Sequence, residues 1–427
     1  MLSCPVPRFL RAACLASALA GLALPAVCAA AAPPPEPPAG LTLAEAVRLA
    51  VERAPQLDAS RAAVDAATQE WRRAGRLPDP MLAIGVDNLP VTGTDAFDPD
   101  ADSMTEKTLG LRQDLPARAR RIAERTAASR AVELARSEVA AGRLAVARSA
   151  ANAWISLWAA QREIEAFDAL RDQARLAARL ARARVAGGAP VVDALAAEAA
   201  VLDLDGEAAL AEGSAGVARA EFSRWIGPGS GAIAPSAPDF GRAPRPVDAA
   251  LAALDAHPAL RTAAARVASA AAAVDVARAG RHPDWNVSAS YGQRAGFSDM
   301  LMLEVGVSLP LFARNRQVPD IAARTADQRA ALADEEALRR ELTAQVEATY
   351  ARWDALRRLV AAHVQALGLL HARSAAALAS YRAGGDLRAW LDARRDEAAA
   401  HRTHAGHLAD LGRAWVDLAY LFEEPIP

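Results

Sequence analysis

Apolar and polar residues alternate at every second position in four short stretches of this chain; nearly everywhere else the pattern is helical. In the first stretch Leu82, Ile84 and Val86 point one way and Ala83, Gly85 and Asp87 the other. The second sets Leu109, Leu111 and Leu115 against Gly110, Arg112 and Asp114, with Gln113 a polar exception on the apolar side. The third sets Trp285, Val287, Ala289 and Tyr291 against Asn286, Ser288, Ser290 and Gly292. The fourth sets Leu301, Leu303, Val305, Val307 and Leu309 against Met302, Glu304, Gly306 and Ser308. A period of two marks strands with two unlike faces. Each stretch has about the nine to eleven residues with which a tilted strand crosses a bilayer. An apolar face opposite a small or polar one suits a membrane barrel around water; a sheet packed on a soluble core satisfies the same pattern. Trp285 and Tyr291 share the apolar face six residues apart, roughly 20 Å at a strand's rise, and are candidates for the two interfacial girdles.

The helical stretches are long. Across 118–185 there is no proline and Gly142 is the only glycine, so a helix there reaches on the order of 100 Å. An equivalent stretch runs over 320–383. Helices of that length exceed a globular core and predict coiled coils. Val346, Tyr350, Trp353, Val360, Val364 and Leu367 keep three- and four-residue steps along one seam, with Arg357 the charged intruder. Leu408, Leu411, Trp415, Leu418 and Phe422 do the same in the last helix, and Trp154, Trp158, Ile164, Phe167 and Leu170 form a looser stripe. A soluble helical bundle fits these stripes equally well, so the alternating segments must decide.

The chain repeats itself. Ala54-Pro55-Gln56-Leu57 is echoed by His257-Pro258-Ala259-Leu260, and Ala74-Gly75-Arg76-Leu77-Pro78-Asp79 by Ala279-Gly280-Arg281-His282-Pro283-Asp284. Arg184-Val185-Ala186-Gly187-Gly188 is echoed by Tyr381-Arg382-Ala383-Gly384-Gly385. The predicted organisation is a helix–hairpin–helix repeat over 41–226, with strands at about 80–90 and 106–116. A Gly/Pro-rich connecting segment follows at 227–246, then a second repeat over 247–427 with strands at about 284–292 and 300–311. Four strands cannot close a barrel, because bacterial barrels begin at about eight strands, and an open edge is not tolerated in lipid. On the barrel reading the chain must join two, three or four copies of itself.

The first residues change where this happens. Arg8 and Arg11 precede an apolar run over 12–27, small residues follow at 28–32, and prolines crowd 33–38. That order predicts a secretory signal peptide over 1–31 and a Pro-rich segment over 32–40. Cys4, Cys14 and Cys28 all fall in the signal region, so the mature chain is expected to have no thiol chemistry, lipidation at Cys28 being the alternative to simple cleavage. A net charge of −2 and a single lysine, Lys107, leave no basic run for nucleic acid. No Gly-x-Ser-x-Gly, P-loop or Cys/His pairing is present, so neither an enzyme nor a cofactor is expected.

The duplicated plan behind a signal peptide resembles the TolC-type outer membrane efflux family over nearly the whole mature chain. The likeness is carried by Leu41-Thr42-Leu43-Ala44-Glu45-Ala46, by the Gly-Gly segments before Asp193 and Asp392, and by Gly306-Val307-Ser308-Leu309-Pro310-Leu311-Phe312. The stretch from Gly85-Val86-Asp87-Asn88 to Leu89-Pro90-Val91-Thr92-Gly93 looks like the heavy-metal branch, the outer channels of copper/silver and cobalt/zinc/cadmium pumps. The resemblance implies a mainly α fold with a small β part. That is a long coiled-coil helical barrel plus a transmembrane β-barrel formed by four strands per subunit in a homotrimer. It also implies an outer-membrane location in a Gram-negative bacterium, a large periplasmic portion, a periplasmic membrane fusion (adaptor) protein and an inner-membrane RND-type proton-driven pump. The expected function is a passive conduit for heavy-metal cations. The alternatives are a drug-efflux or type I secretion channel of the same family and a soluble periplasmic helical scaffold.

In the family, the helical turns furthest from the barrel form the closed entrance and meet the adaptor; here they match 185–195 and 381–391. Candidate gate and docking residues are Arg184, Gly187, Gly188, Asp193, Tyr381, Arg382, Gly384, Gly385, Asp386, Asp392 and Asp396. The glycines let an antiparallel helix pair reverse. A lumen-facing aspartate repeated by symmetry makes a ring that draws cations, while Arg184, Tyr381 and Arg382 are expected to pair across neighbouring helices. His401 and His404 share a helix face and are the one candidate pair for a transition metal. His407 drifts around the helix and no carboxylate stands at ligand spacing, which favours a solvated or interhelical surface. His371 continues the seam of the second long helix and reads as structural.

Overall fold

The structure is a computed structural model describing residues 40–228 and 232–422. The expected signal peptide with its three cysteines, the Pro-rich segment up to residue 39, residues 229–231 of the connecting segment and the last five residues lie outside the described residues. The order is α1 (Leu43–Arg53), α2 (Pro55–Arg73), β1 (Met81–Asp87), β2 (Glu106–Leu115), α3 (Arg118–Ala186) and α4 (Val191–Ile226). The same order follows as α5 (Val247–Ala252), α6 (Pro258–Ala279), β3 (Trp285–Gln293), β4 (Met300–Val307), α7 (Gln317–Arg382) and α8 (Leu387–Ala419), with a short 3-10 turn between α5 and α6.

Local chemistry sets the boundaries. Thr42 opens α1 with a capping box: its hydroxyl accepts from the Glu45 amide, and the Glu45 carboxylate accepts from the Thr42 amide at 3.0 Å. Pro55 and Pro258 occupy the first turns of α2 and α6, where a missing N–H costs nothing. α3 and α7 run 69 and 66 residues, about 100 Å each. Each returns through a Gly-Gly turn into α4 or α8.

The four strands form one antiparallel sheet in the order β1-β2-β3-β4, so the two hairpins join through β2 and β3. Register aligns the alternating faces across all four strands. Ile84, Leu109, Tyr291 and Leu301 make one row of the apolar face, and Leu82, Leu111, Ala289 and Leu303 the next. Gln113 stays on this face opposite Val287, next to the Leu115–Trp285–Val307 row at the helical end. Asp284, just before β3, ties the sheet to α3: its carboxylate accepts from the Ala117 amide at 2.7 Å and pairs with Arg120 at 3.1 Å.

The main core lies where both helical hairpins cross the connecting segment. Trp154 and Trp158 stack there, with Phe240 edge-on to Trp158 and Trp415. Four indoles donate to backbone carbonyls at 2.9–3.0 Å: Trp154 to Leu41, Trp158 to Pro235, Trp353 to Phe240 and Trp415 to Arg242. Among the described residues the segment has no regular ladder beyond the Leu41–Ile233 bridge, so the indoles supply donors to its backbone carbonyls. Of the expected α7 seam, Val346 is fully buried and Val360 nearly so, but Val364 is 56% exposed. α7 meets α8 and α6 on one side, and its other face is open in a single chain. Replacing Trp415 by Phe keeps a ring but leaves the Arg242 carbonyl without its donor. We expect a loss of about 1–3 kcal/mol, seen as a lower thermal unfolding midpoint; an unchanged midpoint contradicts the pinning role.

Candidate functional site: the sheet face and the helical tip

The sheet presents two surfaces of opposite chemistry. On the apolar one Ile84 is 79% exposed, Leu301 71% and Leu303 72%, a cost that water would not permit across a contiguous face. Trp285 and Tyr291, the candidate girdle residues, are half exposed on it, at the helical end and the loop end of β3. Tyr291 hydrogen-bonds Asp299 in the β3–β4 loop. The other surface carries Met81, Arg112, Ser288 and Glu304 in one row, Ala83, Gly110, Ser290 and Met302 in another, and Asp87 opposite Glu106. With Asp114, this face has four carboxylates against two guanidiniums, Arg112 paired with Asp114 at 3.1 Å and Arg294 at 3.9 Å from Glu106. β1 and β4 each leave an edge unpaired. Among the described residues no helix is long and apolar enough to cross a membrane.

At the far end of the helices the two turns come together around a small core of Tyr381, Leu387, Trp390 and Leu378 with alanines of α3 and α4. Arg184 bridges the hairpins. Its guanidinium lies over the Tyr381 ring at 4.5 Å and Nη1 donates to the Tyr381 carbonyl at 3.0 Å. This ring stacking joins the tip within one chain, rather than an Arg–Asp pair. The Tyr381 hydroxyl is buried without a partner among the described residues. Asp386 is the N-cap of α8, accepting from the Arg388 amide at 2.9 Å. Asp396 pairs with Arg373 of α7 at 2.7 Å. Asp193 lies in the first turn of α4, while Asp392 and Arg382 are exposed.

The glycines divide by conformation. Gly188 has φ +92° and Gly384 +105°, values at which a side chain is strained. Gly187 sits at φ −94° with room for a methyl, whereas a Cβ on Gly385 would lie 2.5 Å from the Ser380 hydroxyl.

Three functional features escaped sequence reasoning. Asp284 was visible as the end of a repeated motif, but its bond to α3 spans 167 positions. A buried ion pair, Arg394–Glu397 at 2.7 Å, sits above the tip between α8, α7 and α3. Arg394 also donates to the Leu170 carbonyl of α3 at 2.9 Å, and His371 of α7 bonds the other Glu397 oxygen at 2.9 Å. Burial pushes the Glu397 carboxyl up, but the His371 bond and the Arg394 charge outweigh it and hold the group below its ordinary value. Last, His404 and His407 meet His363 of α7, with ring centroids 6.4 and 4.5 Å away. His401 is not part of these ring contacts, and no group of three or more potential ligands among the described residues is arranged to hold a metal ion.

The chain matches the family described as outer membrane efflux protein twice, over residues 46–227 and 251–422. Among solved structures, CusC superposes with a TM-score of 0.78 at 16% identity, covering 90% of this chain and 92% of that one. The Campylobacter jejuni CmeC outer membrane channel gives 0.75 at 12% identity, covering 89% and 85%. A membrane protein from Pseudomonas aeruginosa gives 0.74 at 20%, covering 89% and 92%. At these identities the likeness is one of fold. No curated protein sequence matches this chain.

The glycine geometry makes a graded prediction. Gly188→Ala and Gly384→Ala each force a side chain into positive φ, at about 1–2 kcal/mol, and should loosen the tip, while Gly187→Ala is tolerated. Limited proteolysis of the two turns reads this directly; equal resistance in all three variants contradicts it.

Proposed function

Because the chain belongs to the outer membrane efflux protein family, whose members are passive channels rather than enzymes, we propose that it is the outer-membrane conduit of a tripartite efflux system and carries heavy-metal cations. The observation that carries the conduit reading is the sheet. It has a lipid-compatible apolar face, a polar face and two open edges in one layer. Backbone groups at an open edge find no partner in hydrocarbon, so copies must close the sheet between β4 of one and β1 of the next. Three copies give twelve strands. Leu195, Leu202, Leu210 and Val217 form an exposed apolar stripe down α4. This stripe supports helix packing between copies along the same axis.

In such an assembly the polar face lines the pore. Asp87, Glu106, Asp114 and Glu304 outnumber Arg112 and Arg294, and threefold repetition multiplies that excess into a field that concentrates cations. The stretch of β1 and its loop that looks like the heavy-metal channels begins on this face at Gly85 and Asp87. The tip is the periplasmic entrance. Arg184, stacked on Tyr381, holds the two hairpins together in the closed state, and Asp193, Asp386, Asp392 and Asp396 lie around it. An adaptor that supplies replacement contacts favours a splayed tip, and an inner-membrane RND-type pump delivers the cargo. The groove between α4 and α8, lined by Asp203, Glu207, Arg395 and Arg402, offers both charges to an adaptor helix.

Two measurements test the reading. In planar bilayers under a salt gradient the wild type should prefer cations, and Asp87→Asn with Glu304→Gln should reduce the zero-current potential. A deletion strain should gain sensitivity to copper, zinc, cobalt or cadmium. Anion preference, or sensitivity to antibiotics alone, contradicts the cation assignment and leaves a drug conduit.

A further inference from the structure

Five of the seven histidines of the chain lie on one helix pair: His363 and His371 on α7, and His401, His404 and His407 on α8. Three are in ring contact. His363 stacks on His404 at 6.4 Å with an interplanar angle of 11°, and meets His407 edge-on at 4.5 Å and 88°. The Nδ1 atoms of both His404 and His407 are buried and have no hydrogen-bond partner among the described residues. A proton on His404 places a charge against the stacked His363 ring, with no acceptor for a new N–H at the buried Nδ1.

The charged groups around this seam do not compensate. On α8, Glu397 is committed to Arg394 and to His371. Arg402 pairs with Glu207 of α4 and lies over the Phe167 ring of α3. From α3, burial holds the Glu163 carboxyl above its ordinary value, against the charge of Arg402. On α7, Arg373 is taken by Asp396. His404 feels only His363, His401 and His407, all of one sign when protonated, and burial first and then these neighbours pull it below its ordinary value.

We propose that His363, His404 and His407 form an acid-sensitive joint between α7 and α8, at which protonation loosens the two helices locally, above the Arg373–Asp396 and His371–Glu397 bonds that also cross the pair. The direction follows from what else holds α8. Arg394 donates to the Leu170 carbonyl at 2.9 Å and Arg413 to the Ser156 hydroxyl at 3.2 Å, both on α3. Neither bond involves an imidazole, so α8 stays on α3 while its contact with α7 weakens. His404 has a lower value in the folded chain than in the unfolded one. The joint is therefore at full strength above about pH 6.5 and weakens as pH falls below it. A periplasm acidified by its surroundings is where such a joint acts, and the inference does not depend on the cargo.

Hydrogen exchange of the full-length protein in detergent with EDTA, at pH 7.5 and 5.5 and corrected for the intrinsic exchange rate, tests this. Wild type should lose protection at pH 5.5 in peptides covering 359–368 and 400–409, with peptides at 150–160 of α3 unchanged. His363→Gln, His404→Gln and His407→Gln combined should abolish the difference between the two pH values. If that variant does not fold, His404→Gln alone should reduce it. Equal protection of the wild type at both pH values, or a full pH response in whichever variant folds, overturns the proposal.

Discussion

The constraint on which the rest of this molecule depends is the accounting of backbone hydrogen bonds at the two edges of a four-stranded sheet. Within one chain β2 and β3 are fully paired, but β1 and β4 each leave a row of N–H and C=O groups open. In water such edges invite aggregation; in hydrocarbon each unsatisfied group costs several kcal/mol. The apolar face, exposed across all four strands, needs a cover other than water. On the proposed reading that cover is lipid, and other copies of the chain close both edges. The exposed apolar stripe on α4 carries the same message along the helices.

Between the sheet and the helical tip the chain is organised as two similar halves clamped at one level. The four indoles that donate to carbonyls of residues 41, 235, 240 and 242 sit where both helical hairpins meet the connecting segment. Below that clamp the hairpins touch at a small number of specific points. Besides the apolar core at the tip, these are Arg394 on the Leu170 carbonyl, Arg413 on Ser156, Arg402 with Glu207, and Arg184 on Tyr381. Buried pairs of this kind add little net stability but are costly to break one partner at a time, at about 3–5 kcal/mol. Such a distribution gives a stiff upper portion and a lower portion whose state depends on a few polar contacts, which suits a conduit that must close at one end.

Much of this fold was legible in the sequence, because its signals are local. A period of two needs only seven to ten residues to show itself, and it placed Leu82, Ile84 and Val86 on the face they occupy. Proline and glycine punctuation marked where α3 and α7 reverse. The long-range partners were not legible. Asp284 looked like part of a repeated turn, and nothing near it in sequence indicates the start of α3. Val364 fitted a seam by spacing, yet it faces outward, since α7 has more than one apolar face and spacing alone does not say which partner covers each. His404 was visible as a helix neighbour of His401, but the ring it meets, His363, is 41 positions away. Arg184 and Tyr381 were singled out as residues of the two tip turns. Their stacking, in place of an ion pair to a nearby aspartate, follows from how two hairpins pack and not from either segment.

Cross-linking between strand edges tests the central claim most directly. The expected mature chain has no native cysteine, so pairs can be placed along β1 and β4 and oxidised in isolated outer membranes. The account predicts disulfides between chains, giving covalent dimers and closed trimers and no larger species, with the β2–β3 junction linking only within a chain. A membrane-inserted protein whose β1 and β4 cysteines never link between chains, or one found entirely in the soluble periplasm, would contradict it.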